Sequence, residues 1–119
     1  MAQLHAIFYS PDSSQPSDDV RGWLAERGLP LVVTNDENDL MARALRGRPA
    51  VVLFDARTQP KVALAACRRL KGDSYTGVVP AGVLTGDGDG EVTAALSALA
   101  DEAFPRSMKP AEARARFES

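Results

Sequence analysis

The sequence predicts an open α/β domain, a parallel sheet covered by helices on both faces, and three observations carry that expectation. Strand-like and helix-like segments alternate along the chain, the order that builds successive β-α-β units. Val51-Val52-Leu53-Phe54 is an uninterrupted apolar run of strand length, as a strand buried on both faces requires. That run stops abruptly at Asp55, just past the carboxyl end of a strand, where open α/β folds place their chemistry.

Leu4 to Tyr9 reads as the first strand, followed by the turn-rich loop Ser10-Pro11-Asp12-Ser13-Ser14-Gln15-Pro16-Ser17. Ser17 or Asp18 can cap the first helix, Val20, Trp23 and Leu24 give it an apolar stripe, and Gly28 supplies a left-handed exit. Leu31 to Thr34 is a short second strand. Asn35 or Asp36 opens a second helix carrying Leu40, Met41, Ala44 and Leu45, and Gly47 closes it before Pro49. After the central strand, Gln59 to Lys71 reads as a third helix with Pro60 in its first turn and Val62, Ala66, Cys67 and Leu70 facing inward. Its cationic end, Arg68, Arg69 and Lys71, suits a helix C-terminus. Gly72 to Val79 reads as a loop. Ala81 to Thr85 is a fourth strand, started through Pro80 where no ladder bond is lost. Glu91 to Ala103 predicts a fourth helix with Val92, Leu96, Leu99 and Ala103 on one side. Phe104-Pro105 is at most a stub of a fifth strand, and Pro110 to Phe117 starts a short last helix.

Composition narrows the function classes. A chain of 119 residues with 45 % hydrophobic content is sized for one domain, spanning residues 1–119, with a real core. A net charge of −2 and a pI near 5.3 argue against nucleic acid as a partner, which needs basic residues gathered on one face. No apolar run is long enough to span a membrane. Met1-Ala2-Gln3-Leu4-His5 lacks a signal pattern and the single Cys67 has no partner for an internal disulfide, so a cytoplasmic location is expected. Cys67 lies among Ala65, Ala66 and Leu70 and reads as a buried structural thiol.

Three segments in order resemble the receiver domain of bacterial two-component response regulators. The strand ending in Asp55 is similar to the phosphoacceptor strand. Pro80-Ala81-Gly82-Val83-Leu84-Thr85-Gly86 is similar to the fourth strand, which ends in a switch Ser or Thr, and Thr85 follows Asp55 by the usual 30 residues. Asp101-Glu102-Ala103-Phe104-Pro105-Arg106, followed by Pro110-Ala111-Glu112-Ala113-Arg114-Ala115-Arg116, resembles the closing segment. The resemblance covers essentially the whole chain. It implies a flavodoxin-like, CheY-like five-stranded sheet of order 2-1-3-4-5, with a short fifth strand and a truncated last helix.

In that family an aspartate takes a phosphoryl group from a histidine kinase, acting as a carboxylate nucleophile. Mg²⁺ is held by the phosphoacceptor and an acidic pair after the first strand, because phosphoryl transfer relies on positioning and on neutralising oxygens. A lysine after the fifth strand and the switch hydroxyl reach the phosphoryl oxygens, and the resulting shift changes partner affinity.

This sequence keeps only part of that apparatus. Asp55 and Thr85 are present. The acidic pair falls on Ser10-Pro11 when the strands are matched, or on Pro11-Asp12 when Gly28 and the first-helix stripe are matched. Either way one metal carboxylate is lost, and Asp12 remains as a candidate holder of a metal-bound water; Asp18 and Asp19 read as an acidic first turn. The lysine position falls on Arg106, followed by Ser107 rather than proline, or, with inserted residues, on Lys109-Pro110. Arg106 is the preferred match. Its planar fork is not equivalent to an ammonium, and without the proline a cis peptide is not expected there. Arg57 and Lys61 bring two cations near Asp55. They could lower its pKa and partly replace a metal, but the favoured expectation is that both point into solvent.

Two further motifs are set aside. Asp87-Gly88-Asp89-Gly90-Glu91 looks like the start of a calcium loop, but Val92 and Ala98 occupy the positions of the loop glycine and closing glutamate, so an N-capped helix start explains it better. His5 has no second ligand nearby in sequence and reads as an edge or surface residue. No Gly-rich phosphate loop follows the first strand.

The expectation is therefore a receiver-like signalling module with a degenerate phosphorylation site, not an enzyme. It would act through protein contacts and have no resident cofactor, with Mg²⁺ only if the residual pocket of Asp12, Asp55 and Arg57 is competent. The resemblance implies contacts through the face of the fourth helix, fifth strand and fifth helix, including Ala95, Ala98, Asp101, Glu102, Arg114 and Arg116. The partner would be an output domain, another protein, a histidine kinase or a second copy. The last helix stops at Ser119 after about two turns, which suggests the N-terminal part of a larger regulator. The alternatives are an atypical but phosphorylatable receiver, using Asp12 with Arg106 or Lys109, and a small flavodoxin-like enzyme or nucleotide-binding domain.

Overall fold

A computed structural model describes residues 4–118; Met1 to Gln3 and Ser119, on which the leader and chain-end readings bear, lie outside the described residues. Ten elements alternate: β1 (Ala6–Tyr9), α1 (Asp18–Glu26), β2 (Leu31–Thr34), α2 (Glu37–Arg46), β3 (Val51–Asp55), α3 (Pro60–Gly72), β4 (Ala81–Thr85), α4 (Glu91–Ser97), β5 (Glu102–Pro105) and α5 (Pro110–Glu118). The strands form one parallel sheet in the order β2-β1-β3-β4-β5, as expected.

Strand alternation divides the core into two layers. Ile7, Tyr9, Val52, Phe54 and Val83 pack with residues of α2, α3 and α4 on one face. Ala6, Phe8, Leu53 and Leu84 pack with Val20, Leu24, Trp23 and Phe117 of α1 and α5 on the other. Gly82 permits the second layer to close, because a Cβ there would stand 2.9 Å from Phe104 Cε2 and 3.0 Å from Leu53 Cδ2. Pro80 starts β4 by offering its carbonyl to Val52 N–H at 2.9 Å.

The expected caps of the first two helices form. Ser17 Oγ accepts Val20 N–H at 3.3 Å, Asp36 accepts Asn38 N–H at 2.9 Å, and Gly28 (φ +67°) makes the left-handed turn after α1. Cys67 is fully buried, and burial pushes its thiol up to about 11. No described helix is long and apolar enough to cross a membrane.

Four assignments are corrected. In α2, Leu40, Met41 and Ala44 are buried but Leu45 is exposed. In α3, Val62 is exposed and Ala63 takes the inward place, so the stripe is Ala63, Ala66, Cys67 and Leu70; close packing on the sheet selects the smaller residue. The fourth helix ends at Ser97 rather than Ala103, and β5 starts at Glu102 rather than Phe104. Leu99 adopts φ +73°, and Leu99 N–H and Ala100 N–H donate to Leu96 O and Ala95 O at 3.0 and 3.3 Å. That is a Schellman ending with leucine where glycine is usual. The buried face of this helix is also reversed: Ala95 and Ala98 are buried, while Val92, Leu96 and Leu99 are exposed and Ala103 belongs to β5. Ala95 and Ala98 are therefore not on the outer face.

Candidate functional site

Asp55 ends β3 in the middle of the sheet and is 2 % exposed. Its carboxylate receives three donors from one residue. Arg57 Nε reaches Oδ1 at 2.9 Å, Arg57 Nη2 reaches Oδ2 at 3.0 Å, and the Arg57 backbone N–H reaches Oδ1 at 3.1 Å. The expectation that Arg57 points into solvent is thus overturned, while Lys61 is exposed. The reason is local: the backbone turns at Ala56, so a residue two positions on faces back toward the strand end, and a guanidinium fork matches both carboxylate oxygens. The hydrogen bonds that Arg57 donates to Asp55 raise the Arg57 pKa above the usual arginine value. A nearly buried carboxylate needs such a partner.

The loop after β1 builds the second half of the site. Ser10 is fully buried and its hydroxyl donates to Asp12 Oδ1 at 2.9 Å. Asp12 Oδ1 also accepts Ser14 N–H at 3.0 Å, and Oδ2 accepts the Thr58 hydroxyl at 2.7 Å. Hydrogen bonds from Ser14, Thr58 and Ser10 hold the Asp12 carboxyl well below the usual carboxylate range. Asp12 therefore ties the β1–α1 loop to the β3–α3 loop, and its charge adds to that of Asp55 in raising the Arg57 pKa. Pro11, half-buried between Ser10 and Asp12, brings no donor.

The carboxylate oxygens of this site are already engaged. Both Asp55 oxygens are taken by Arg57, and both Asp12 oxygens accept hydroxyl or amide hydrogens. Among the described residues no group of three His, Cys, Asp or Glu side chains could hold a metal. A hard cation needs several free, properly spaced oxygens.

Thr85 ends β4, paired with Pro105 and one residue beyond the Leu84–Asp55 pair. It is buried, and its hydroxyl donates to Gly86 O at 2.9 Å. Arg106 directly follows β5 and is exposed; Lys109 immediately precedes α5 and is also exposed. Neither side chain bonds to Asp55. Arg106 is the one at a strand end, and no peptide bond among the described residues is cis.

Two participants carry no sequence signal. Thr58 contributes a hydroxyl that spacing does not single out. Glu91 turns backward and accepts Gly86 N–H and Gly88 N–H, so the α4 start expected to be N-capped has Gly90 at the cap with no side-chain bond. A small cleft of about 30 Å³ lined by Ala56, Pro60, Leu64, Thr85, Glu91 and Ala94 adjoins the site. A larger cavity, about 320 Å³, lies at the opposite, amino ends of the strands, between the sheet and Leu29, Phe104 and Phe117. The site's polar groups converge at the carboxyl ends, so cavity size does not locate it.

On the last helix the expected face is split. Arg116 pairs with Glu102 at 3.1 Å on the β5 side, whereas Arg114 pairs with Glu26 of α1 at 2.8 Å. Residues two apart on a helix project about 200° apart, so Arg114 belongs to the α1 side.

Sheet order, element count and the position of Asp55 define the fold of a receiver domain. No family model and no curated protein matches the chain in sequence. Solved structures do match in fold. A response regulator from Thermotoga maritima superposes with a TM-score of 0.74 at 14 % identity, covering 98 % of this chain and 96 % of that one. The BeF3-activated N-terminal receiver domain of RstA from Klebsiella pneumoniae gives 0.72 at 23 %, covering 96 % and 95 %. The receiver domain of a sensor histidine kinase from Pseudomonas aeruginosa PAO1, with magnesium coordinated in its active-site cleft, gives 0.70 at 19 %, covering 98 % and 96 %.

Proposed function

We propose that the protein is a receiver-like signalling module whose acidic site is neutralised by its own Arg57, and that it acts by protein contact rather than by Mg²⁺-dependent phosphotransfer. The bidentate Arg57–Asp55 pair supports this most directly. It supplies the positive charge that a receiver takes from a metal, and it occupies both oxygens that a phosphoacceptor would need. The replacement of one acidic-pair position by Ser10 or Pro11 points the same way. In this reading the protein is not an enzyme, needs no cofactor and works in the cytoplasm. Its contact face is α4 and β5, where Val92, Leu96 and Leu99 are exposed beside Asp101 and Glu102, and its partner is an output domain, another signalling protein or a second copy.

Acetyl phosphate with Mg²⁺ tests the reading. The wild-type chain is expected to show no phosphoryl mass gain and no Mg²⁺ binding in the millimolar range. Stoichiometric base-labile labelling that disappears in Asp55→Asn would overturn it. The retained neighbours Asp55 and Thr85 at adjacent strand ends favour a second reading, a phosphorylatable receiver held back by Arg57. That reading requires Arg57→Ala to gain labelling that the wild type lacks.

A further inference from the structure

We propose that Glu91 is a built-in latch, whose carboxylate pins the β4–α4 loop, and with it the exposed apolar stripe of α4, in one orientation without any phosphoryl group. The loop, residues 86–90, contains Gly86, Gly88 and Gly90 among its five residues. Such a glycine-rich segment loses more conformational freedom on ordering than one of ordinary composition would. Yet it is tied at three points. Glu91 Oε1 accepts Gly86 N–H at 3.1 Å, Glu91 Oε2 accepts Gly88 N–H at 2.5 Å, and Asp87 Oδ1 accepts Ser107 N–H at 2.8 Å from the segment after β5. Bonds from backbone N–H to an ionised carboxylate are the stronger kind.

The glycines are fitted to the carboxylate as well as to the turn. A Cβ on Gly86 would stand 3.0 Å from both Glu91 oxygens, and one on Gly88 would overlap Oε2. A side chain at 88, and less sharply one at 86, would push the Glu91 carboxylate from its present place across the loop. Gly90 (φ +80°) then turns the chain into α4.

The position of the loop gives the latch its consequence. Gly86 follows Thr85, whose hydroxyl already donates to Gly86 O, and Thr85 flanks the strand pair that holds Asp55. At its other end the loop delivers α4, whose outward residues Val92 and Leu96 are 38 and 49 % exposed, as is Leu99 just past its end at 49 %. The same five residues thus join the Asp55 neighbourhood to the contact face, and what fixes them fixes the face. This step deepens the receiver-like reading above and rests on it for the role of α4; the latch itself does not depend on the state of Asp55.

Residue-resolved hydrogen–deuterium exchange and methyl NMR on the 119-residue chain test it in wild type, Glu91→Ala, Glu91→Gln, Gly88→Ala and Asp55→Asn. In Glu91→Ala the Gly86 and Gly88 amides are expected to exchange about 10- to 100-fold faster, as loss of charge-assisted bonds implies, and the Val92, Leu96 and Leu99 methyl signals to shift or broaden. Gly88→Ala keeps the carboxylate but displaces it, and is expected to deprotect Gly86 in the same way. Glu91→Gln, with one acceptor left, should fall between. If Glu91→Ala does not fold, the Gly88→Ala and Glu91→Gln comparison carries the test. Unchanged Gly86 exchange in the folded variants overturns the latch, and so does faster exchange with unmoved α4 methyls. Asp55→Asn should leave Gly86 protection intact, and a loss there would also overturn it. Labelling of wild-type Asp55 by acetyl phosphate would instead overturn the metal-free reading while leaving the Gly86 result standing.

Discussion

Arg57 and Asp55 are unequal partners, and the inequality sets what each substitution does. The Asp55 side chain is 2 % exposed and that of Arg57 is 27 % exposed. Truncating Arg57 strands a carboxylate in the interior, whereas neutralising Asp55 leaves a guanidinium that can turn to water. Arg57→Ala is therefore expected to lose about 2–3 kcal/mol of stability, below the usual figure for a broken buried pair because the arginine is partly solvated. Asp55→Asn should lose less, and the double variant should be more stable than the sum of the singles by roughly 1 kcal/mol or more. Urea melts of the four proteins measure this directly; equal losses for the two singles would show that the pair is not holding a buried charge. Asp55 is legible in the sequence because it ends an apolar strand run, and Thr85 because the segment it ends resembles the fourth strand of a receiver domain. The fork between Arg57 and Asp55 is not legible, because composition and spacing leave a side chain's direction on a turn undecided. Thr58 and Glu91 are hidden for the same reason: a hydroxyl 46 residues from its acceptor and a carboxylate that reaches backward leave no periodic trace.

At the scale of elements the strands and the first two helices follow from apolar runs, caps and glycine exits, and the region around α4 does not. Leu99 holds the left-handed position that ends α4, so the helix lacks the glycine that would mark its end and the pattern reads straight on into β5. The buried face is inverted for a related reason. α4 lies close against the sheet, so Ala95 and Ala98 fill the contact, and larger Val92, Leu96 and Leu99 are left outside. A hydrophobicity pattern alone ranks leucine above alanine and so selects the wrong side. A leucine at positive φ is strained by about 1–2 kcal/mol, and being half-exposed it recovers little of that by burial. Leu99→Gly is accordingly expected to raise stability by about 0.5–1 kcal/mol, measured by thermal or urea unfolding. A destabilised variant would show that the Leu99 side chain contributes packing that outweighs its backbone strain.

The whole molecule is one sheet on which every helix rests, so its layers should not unfold separately. Trp23 offers a probe of that coupling. It belongs to α1, and its ring lies 6.1 Å from Phe104 of β5 and 5.8 Å from Phe117 of α5, so it reads the edge strand and the last helix together. Arg27 adds a tie by lying 5.0 Å over the Phe117 ring, and Arg114 pairs α5 with Glu26 of α1 at 2.8 Å. Far-UV circular dichroism, by contrast, sums over all five helices, the two longest of which, α2 and α3, cover the opposite face. If the sheet transmits stability between its two faces, tryptophan fluorescence and circular dichroism should give coincident urea transitions with one midpoint and one slope, as small cooperative domains do. The alternative has a physical basis, since α5 is a nine-residue helix with one buried side chain, Ala113, and short helices depend on packing for their stability. Were α5 to detach first, Trp23 would lose Phe117 early and the fluorescence transition would precede the circular dichroism one. Coincidence would mean that the Trp23–Phe104–Phe117 cluster couples α5 to the sheet strongly enough for Asp55, the β4–α4 loop and the α4 face to be lost in a single step.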